Sequence, residues 1–218
     1  MGGGAGRWDA RTVQPNPLYR IDEHEVRALI RRAPWMTLVS HPESGPVASP
    51  SPVLLDDEAA AEDGMVLVTH LGRADARLHG LLAEAPEGGH RMLVVVQGEH
   101  GYVSPSWYLG GDAGQVPTWN FEMATLQCAV EVVDADENLR VLRRLVAHFE
   151  GPDGVALDIS DEDNRGLAMG TIGLRLRVTA FDAKSKMSQN KSAETRASVI
   201  AHLEPTHPRL AARMRDAS

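Results

Sequence analysis

Between Ile172 and Phe181 the chain alternates Leu174, Leu176 and Val178 with Arg175, Arg177 and Thr179. A period of two marks a strand with one face in a core and one in water. Other runs have the same character. Trp35–Ser40 and Met65–Thr69 are short and apolar, Arg91–Gln97 contains Met-Leu-Val-Val-Val, and Val116–Val133 reads as one long strand or two with a bend. Val47–Leu55 is a further strand interrupted by Pro50 and Pro52. Prolines that close together demote it to an edge or bulged strand.

Helical patterns separate these strands. Asp22–Arg32 opens with Asp22 as N-cap and Glu25 three residues on, a capping box, and carries Val26, Leu29 and Ile30 as one stripe before Pro34 stops it. Arg73–Ala83 reads as a helix with Leu78, Leu81 and Leu82 inward. Asp136–Glu150 places Leu139, Leu142, Leu145, Val146 and Phe149 on one side. Asp161–Met169 and Ala193–Leu203 are shorter helices, and Ala59–Gly64 is a loop. Antiparallel strands with helices between them predict an α+β, mainly β architecture: a barrel with peripheral helices. There is no Gly-x-Gly-x-x-Gly after a strand and no Walker loop, which argues against a doubly wound parallel sheet. The organisation expected is a disordered tail over 1–15, one barrel domain with a C-terminal helix over 16–204, and a tail over 205–218.

The net charge of −8 argues against a broad electrostatic grip on DNA or an anionic membrane. No helix-turn-helix signature is evident, so direct DNA binding is weakly supported. The single cysteine, Cys128, excludes an intrachain disulfide and fits a reducing cytoplasm; its apolar surroundings make it an inert buried thiol. No apolar run reaches the roughly 18 residues of a membrane span.

Rigid aromatics, hydroxyls and prolines crowd Gly98–Asn120, in a chain that is only 5% aromatic. Rings on loops carried by strands can hold a flat ligand or fill a core. Tyr102-Val103-Ser104-Pro105-Ser106-Trp107-Tyr108 and Val116-Pro117-Thr118-Trp119-Asn120 resemble the two signature segments of the PaiB-like family, the FMN-binding negative transcriptional regulators. Thr69-His70-Leu71-Gly72-Arg73-Ala74-Asp75 resembles that family's His-Leu-Ala-Arg-Ala-Asn-Pro stretch. Lys186-Met187-Ser188-Gln189-Asn190 resembles its Lys-Leu-Ser-Gln-Asn. The resemblance runs from about Asn16 to Leu203. It implies an FMN-binding split β-barrel, a homodimer with the flavin at the subunit interface, and a flavin-redox or regulatory role.

On that resemblance the cofactor contacts fall on particular residues. Thr69 and Arg73 lie where a strand hands over to a helix, with a hydroxyl and a guanidinium suited to the FMN phosphate. Ser104, Trp107, Trp119 and Asn120 line the flavin ring, and Lys186, Gln189 and Asn190 address its edge or phosphate, reaching across a dimer. The related piperazate synthases bind haem instead. For that alternative, haem b with an N-hydroxylated amino acid as substrate, His70 is the candidate axial ligand. None of the other histidines shows metal-ligand spacing. A third reading is a cofactor-free interaction module. The sequence departs from the family pattern at Ala48–Pro52, where a histidine is usual, at Asp75-Ala76 in place of Asn-Pro, and at Thr125–Gln127. These departures bear on the cofactor more than on the fold. Nothing resembles a catalytic triad or a carboxylate pair, so any redox chemistry would come from the cofactor.

Overall fold

The computed structural model describes residues 16–59, 64–158 and 162–217. The expected N-terminal tail, loop residues 60–63 and Asp161 lie outside the described residues. Six antiparallel strands close a barrel in the order β1-β2-β3-β6-β5-β4. They are β1 (Trp35–Ser40), β2 (Val47–Leu55), β3 (Val66–Gly72), β4 (His90–Val103), β5 (Thr118–Val132) and β6 (Thr171–Lys186). The interior is filled by one parity of each strand, including Leu38, Val53, Leu67, Val94, Leu126 and Leu174, all fully buried. The alternation noted in Ile172–Phe181 is therefore that of a barrel wall.

Pro50 and Pro52 sit where the backbone tolerates them. The Val53 amide donates to the Pro34 carbonyl at 2.8 Å, so odd-numbered amides of β2 face β1. The proline nitrogens face the other side, and there β3 pairs only with Val53–Leu55. The strand is thus an edge locally, although it has neighbours on both sides over its length.

Helix α1 (Glu23–Arg32) begins in the expected capping box: the Asp22 carboxylate accepts from the Glu25 amide at 2.9 Å, and the Glu25 carboxylate accepts from the Asp22 amide at 3.3 Å. Its buried residues are Val26, Leu29 and Ile30. Helix α2 spans only Arg73–Leu78. Gly80, at φ +75°, turns the chain out of the expected longer helix, so Leu81 is buried while Leu78 and Leu82 are exposed.

Helix α3 (Ala135–Glu150) buries Val141 and Leu145 against Val68 of β3. Phe149, expected on the same side, is exposed at the helix end. The close approach of α3 depends on Gly173. A Cβ there would lie 2.7 Å from Val133 Cγ2, 2.8 Å from Asn138 Oδ1 and 3.0 Å from Asn138 Cα. Gly173→Ala is expected to destabilise the protein by about 2 kcal/mol through overpacking, read as a lower denaturant midpoint at unchanged slope. An unchanged midpoint would show that α3 yields freely.

Helix α4 spans Glu162–Ala168 and α5 spans Ala193–Leu203. The region 205–218, expected as a tail, instead contains helix α6 (Pro208–Asp216). Proline at its start and buried Leu210, Ala211 and Met214 on one side make it a packed element. With α5, α6 forms a second core around Val103, Tyr108, Met187, Val199 and Leu203.

Candidate cofactor site

Strand parity decides which predicted residues can reach a ligand. On β3 the odd residues Leu67 and Leu71 belong to the barrel core, and Thr69 is fully buried between them. Its hydroxyl donates to the Pro52 carbonyl at 2.6 Å and lies 2.9 Å from Ser51 Oγ. Thr69 is therefore a bracket between β2 and β3, not a phosphate donor. His70 takes the opposite parity and is half-buried. Its carbonyl accepts from Ser51 Oγ at 2.7 Å, while its ring Nδ1 is buried without a partner among the described residues. Burial lowers the His70 pKa, so the ring is held neutral with a lone pair to offer.

Arg73, the first residue of α2, is exposed and lines a cavity of about 300 Å³ with Asn138, Arg165 and Thr171. Its amide donates to the Gly170 carbonyl at 3.0 Å. The start of α2 is thus partly satisfied internally, and the guanidinium is what remains for an anion.

The second group lies at the far end of the barrel. Tyr102 pairs opposite Trp119, with ring centroids 6.2 Å apart at 73°, and His100 lies 6.0 Å from Trp119. Trp119 is 52% exposed and Tyr102 46%, so both rings present area to solvent. Lys186 pairs opposite Phe121 on the same face and donates to the Thr118 hydroxyl. Burial, then the neighbouring Lys191 and Lys184, lowers its pKa.

Asn120 does not join this face. It is fully buried on the opposite parity, donating to Ser188 Oγ at 2.9 Å and contacting Met214 Sδ at 3.3 Å. Its amide fastens β5 to the turn after β6 and to α6, in place of the flavin-edge role expected. Gln189 braces that same turn, donating to the Ser185 carbonyl and accepting from the Met187 amide, both at 2.6 Å. Ser104 caps a short 3-10 turn, accepting from the Ser106 amide at 3.2 Å. Trp107 is half-buried and stacks on His202 at 5.2 Å. Asn190 is exposed in the turn before α5. The two signature segments do meet, but largely through structural contacts.

The two groups are far apart within one chain. His70 pairs with Gly173 near the start of β6, and Phe121 pairs with Lys186 at its end. A strand advancing about 3.3 Å per residue separates these pairs by roughly 40 Å before bending.

A further polar cluster was not foreseen from the sequence. Ser40 Oγ lies 2.7 Å from His79 Nδ1, His79 Nε2 lies 3.1 Å from Ser49 Oγ, and Ser49 Oγ donates to Asp75 at 3.2 Å. Because Ser49 gives its proton to Asp75, it accepts from His79 Nε2–H, and Nδ1 accepts from Ser40. In its neutral form His79 is thereby held as the Nε2–H tautomer. Burial lowers its pKa, against an opposing pull from Asp75. A lowered folded value means that stability present at neutral pH is lost as pH falls from about 6.5 toward that value. His79→Gln is expected to lower the melting temperature at pH 7 and to flatten the decline in stability between about pH 7 and 5. An unchanged pH profile would remove His79 from that role. Among the described residues, no cluster of three or more metal-ligating side chains exists.

A closed six-stranded antiparallel barrel with peripheral helices has the split-barrel architecture. Residues 14–180 match the family described as "Putative FMN-binding domain", and the chain belongs to that family. FMN is accordingly the cofactor that family membership assigns. Protease synthase and sporulation protein PAI 2 of Bacillus subtilis (strain 168) is 27% identical over 120 residues, 52% of this chain and 55% of that protein. The chain thus spans about half the length of that relative. Among solved structures, the FAD and heme binding protein from Mycobacterium smegmatis superposes with a TM-score of 0.55 at 18% identity, over 81% of this chain and 77% of that one. The flavocytochrome Anf3 from Azotobacter vinelandii gives 0.54 at 14% identity, over 78% and 69%. At such identities the likeness is one of fold. No helix among the described residues is long and apolar enough to cross a membrane.

Proposed function

We propose that this chain is a homodimeric FMN-binding protein that holds each flavin between two copies of itself and couples the flavin to a regulatory role. The observation that carries this reading is the separation of the candidate residues. The corner bearing His70 and Arg73 and the face bearing Tyr102, Trp119 and Lys186 lie at opposite ends of β6. A two-fold partner laid antiparallel brings one end of each copy to the other end of its mate. The outer face of β1, β4 and β5 supports such a contact, because Trp35, Tyr102 and Trp119 are exposed and Val39, Val95 and Phe121 are half-exposed. The residues fit the cofactor: exposed rings for a flat ring system, and a guanidinium for a phosphate. The regulatory part rests on the resemblance of the two signature segments to the PaiB-like regulators.

Titration of the purified protein with FMN, followed by visible absorption, tests this. Arg73→Ala is expected to weaken binding about 10-fold or more, the worth of a charge-assisted phosphate contact. Equal affinity in the variant would exclude that corner from the site. A second reading, haem b, rests on the neutral His70 ring with its unpartnered Nδ1. Its signature is a sharp Soret band on adding haemin that disappears in His70→Ala.

A further inference from the structure

We propose that the cleft between α1 and the α5–α6 pair is a separate binding site for a small oxyanion, a carboxylate or a phosphate. The cleft has a volume of about 540 Å³, within the range of small-molecule sites. Its walls come from the segment around Arg20 and α1, the ends of β5 and β6, and helices α5 and α6. In a chain of net charge −8, this lining carries Arg20, Arg32, Arg196 and Arg213 against Glu25, Glu122 and Asp216. The cleft is therefore positive where the molecule as a whole is negative.

The carboxylates are engaged except for one oxygen of Glu122. One oxygen of Glu122, buried to 1% exposure, gathers Arg32 at 3.1 Å and Arg213 at 2.9 Å. Its other oxygen is buried without a partner among the described residues and lies near Gly98, 3.1 Å from where a Cβ on that glycine would sit. Asp216 pairs with Arg213 at 3.1 Å, and Glu25 caps α1 through the Asp22 amide. The donors are not all engaged. The Ser185 hydroxyl and the Arg196 Nε–H are buried without partners among the described residues. Arg196 spends its Nη2 on the Met214 and Ala217 carbonyls, each at 2.6 Å, which holds the end of α6. An oxyanion is the group that satisfies two unpartnered donors beside a guanidinium fork.

The site is distinct from the proposed flavin face. Side chains alternate along a strand, so Ser185 and Glu122 point away from the side that carries Lys186 and Phe121. Occupancy would link Arg20, ahead of α1, to α5 and α6.

Calorimetric titration of the full-length protein with citrate and, separately, with inorganic phosphate at constant ionic strength tests this. One saturable site is expected for at least one probe. Preference for citrate would identify a carboxylate ligand, and preference for phosphate a phosphorylated one. Arg20→Glu is expected to weaken that binding at least 10-fold, and Ser185→Ala to weaken it less, with FMN content and melting temperature retained in both. Absence of saturable binding to either probe, or binding indifferent to both variants, would overturn the site. Loss of FMN in Arg20→Glu would overturn its separateness and give the cleft to the cofactor.

Discussion

Replacement of Glu122 by alanine is expected to destabilise this protein by about 3 kcal/mol, the largest effect of any single side chain outside the barrel core. Glu122 is 1% exposed, and its carboxylate is the common partner of Arg32 from α1 and Arg213 from α6. Removing it leaves Arg32 without its counter-charge and Arg213 with only the exposed Asp216. Arg32 is 39% exposed and Arg213 24%, so both recover some hydration, which places the effect at the low end for a broken buried pair. In a protein of this size the melting temperature should fall by roughly 6–12 °C. Arg213→Met should cost less, because Arg32 still compensates the carboxylate. A Glu122→Ala protein melting within about 2 °C of the parent would mean that the cluster contributes no net stability. Loss of α6 before the barrel, detected as early proteolysis at the C-terminal end, would localise the effect to the clamp.

Local sequence signals were sound guides, and signals that depend on long-range facing were not. The capping box at Asp22 and Glu25 involves atoms three residues apart, and it forms as expected. The alternation through Leu174 and Leu176 is a property of one strand, and both residues are in the barrel core. Thr69 and Asn120 show the limit. Their residue types suit a cofactor, but each points inward, which depends on register against β2 and on contacts with Ser188 and Met214. The Ser40–His79–Ser49–Asp75 chain joins residues 39 and 30 positions apart in sequence, and no short motif announces it. Helix α6 was legible in principle. Pro208 with Leu210, Ala211 and Met214 on one side is a helical start and stripe, although it is brief and charged around its apolar positions.

The flavin site itself offers the second large effect, through mixed dimers. Arg73→Ala and Trp119→Ala should each raise the FMN dissociation constant by roughly 10- to 100-fold, since a phosphate contact and a stacking face are each worth about 1.5–3 kcal/mol. If Arg73 from one copy and Trp119 from its partner serve one flavin, a heterodimer of the two variants contains one site with both native residues and one with neither. Such a heterodimer, purified by two different tags, should bind FMN at parental affinity with half the parental content. If both residues served a flavin within one chain, every site in the heterodimer would carry one defect, and parental affinity would not return. Their placement at opposite ends of β6 argues for restoration. A heterodimer that stays as weak as its parents, or a protein that remains a monomer with FMN bound, would refute the shared site. The geometry of a 16-residue strand with cofactor-suited groups at both ends makes restoration the expected result.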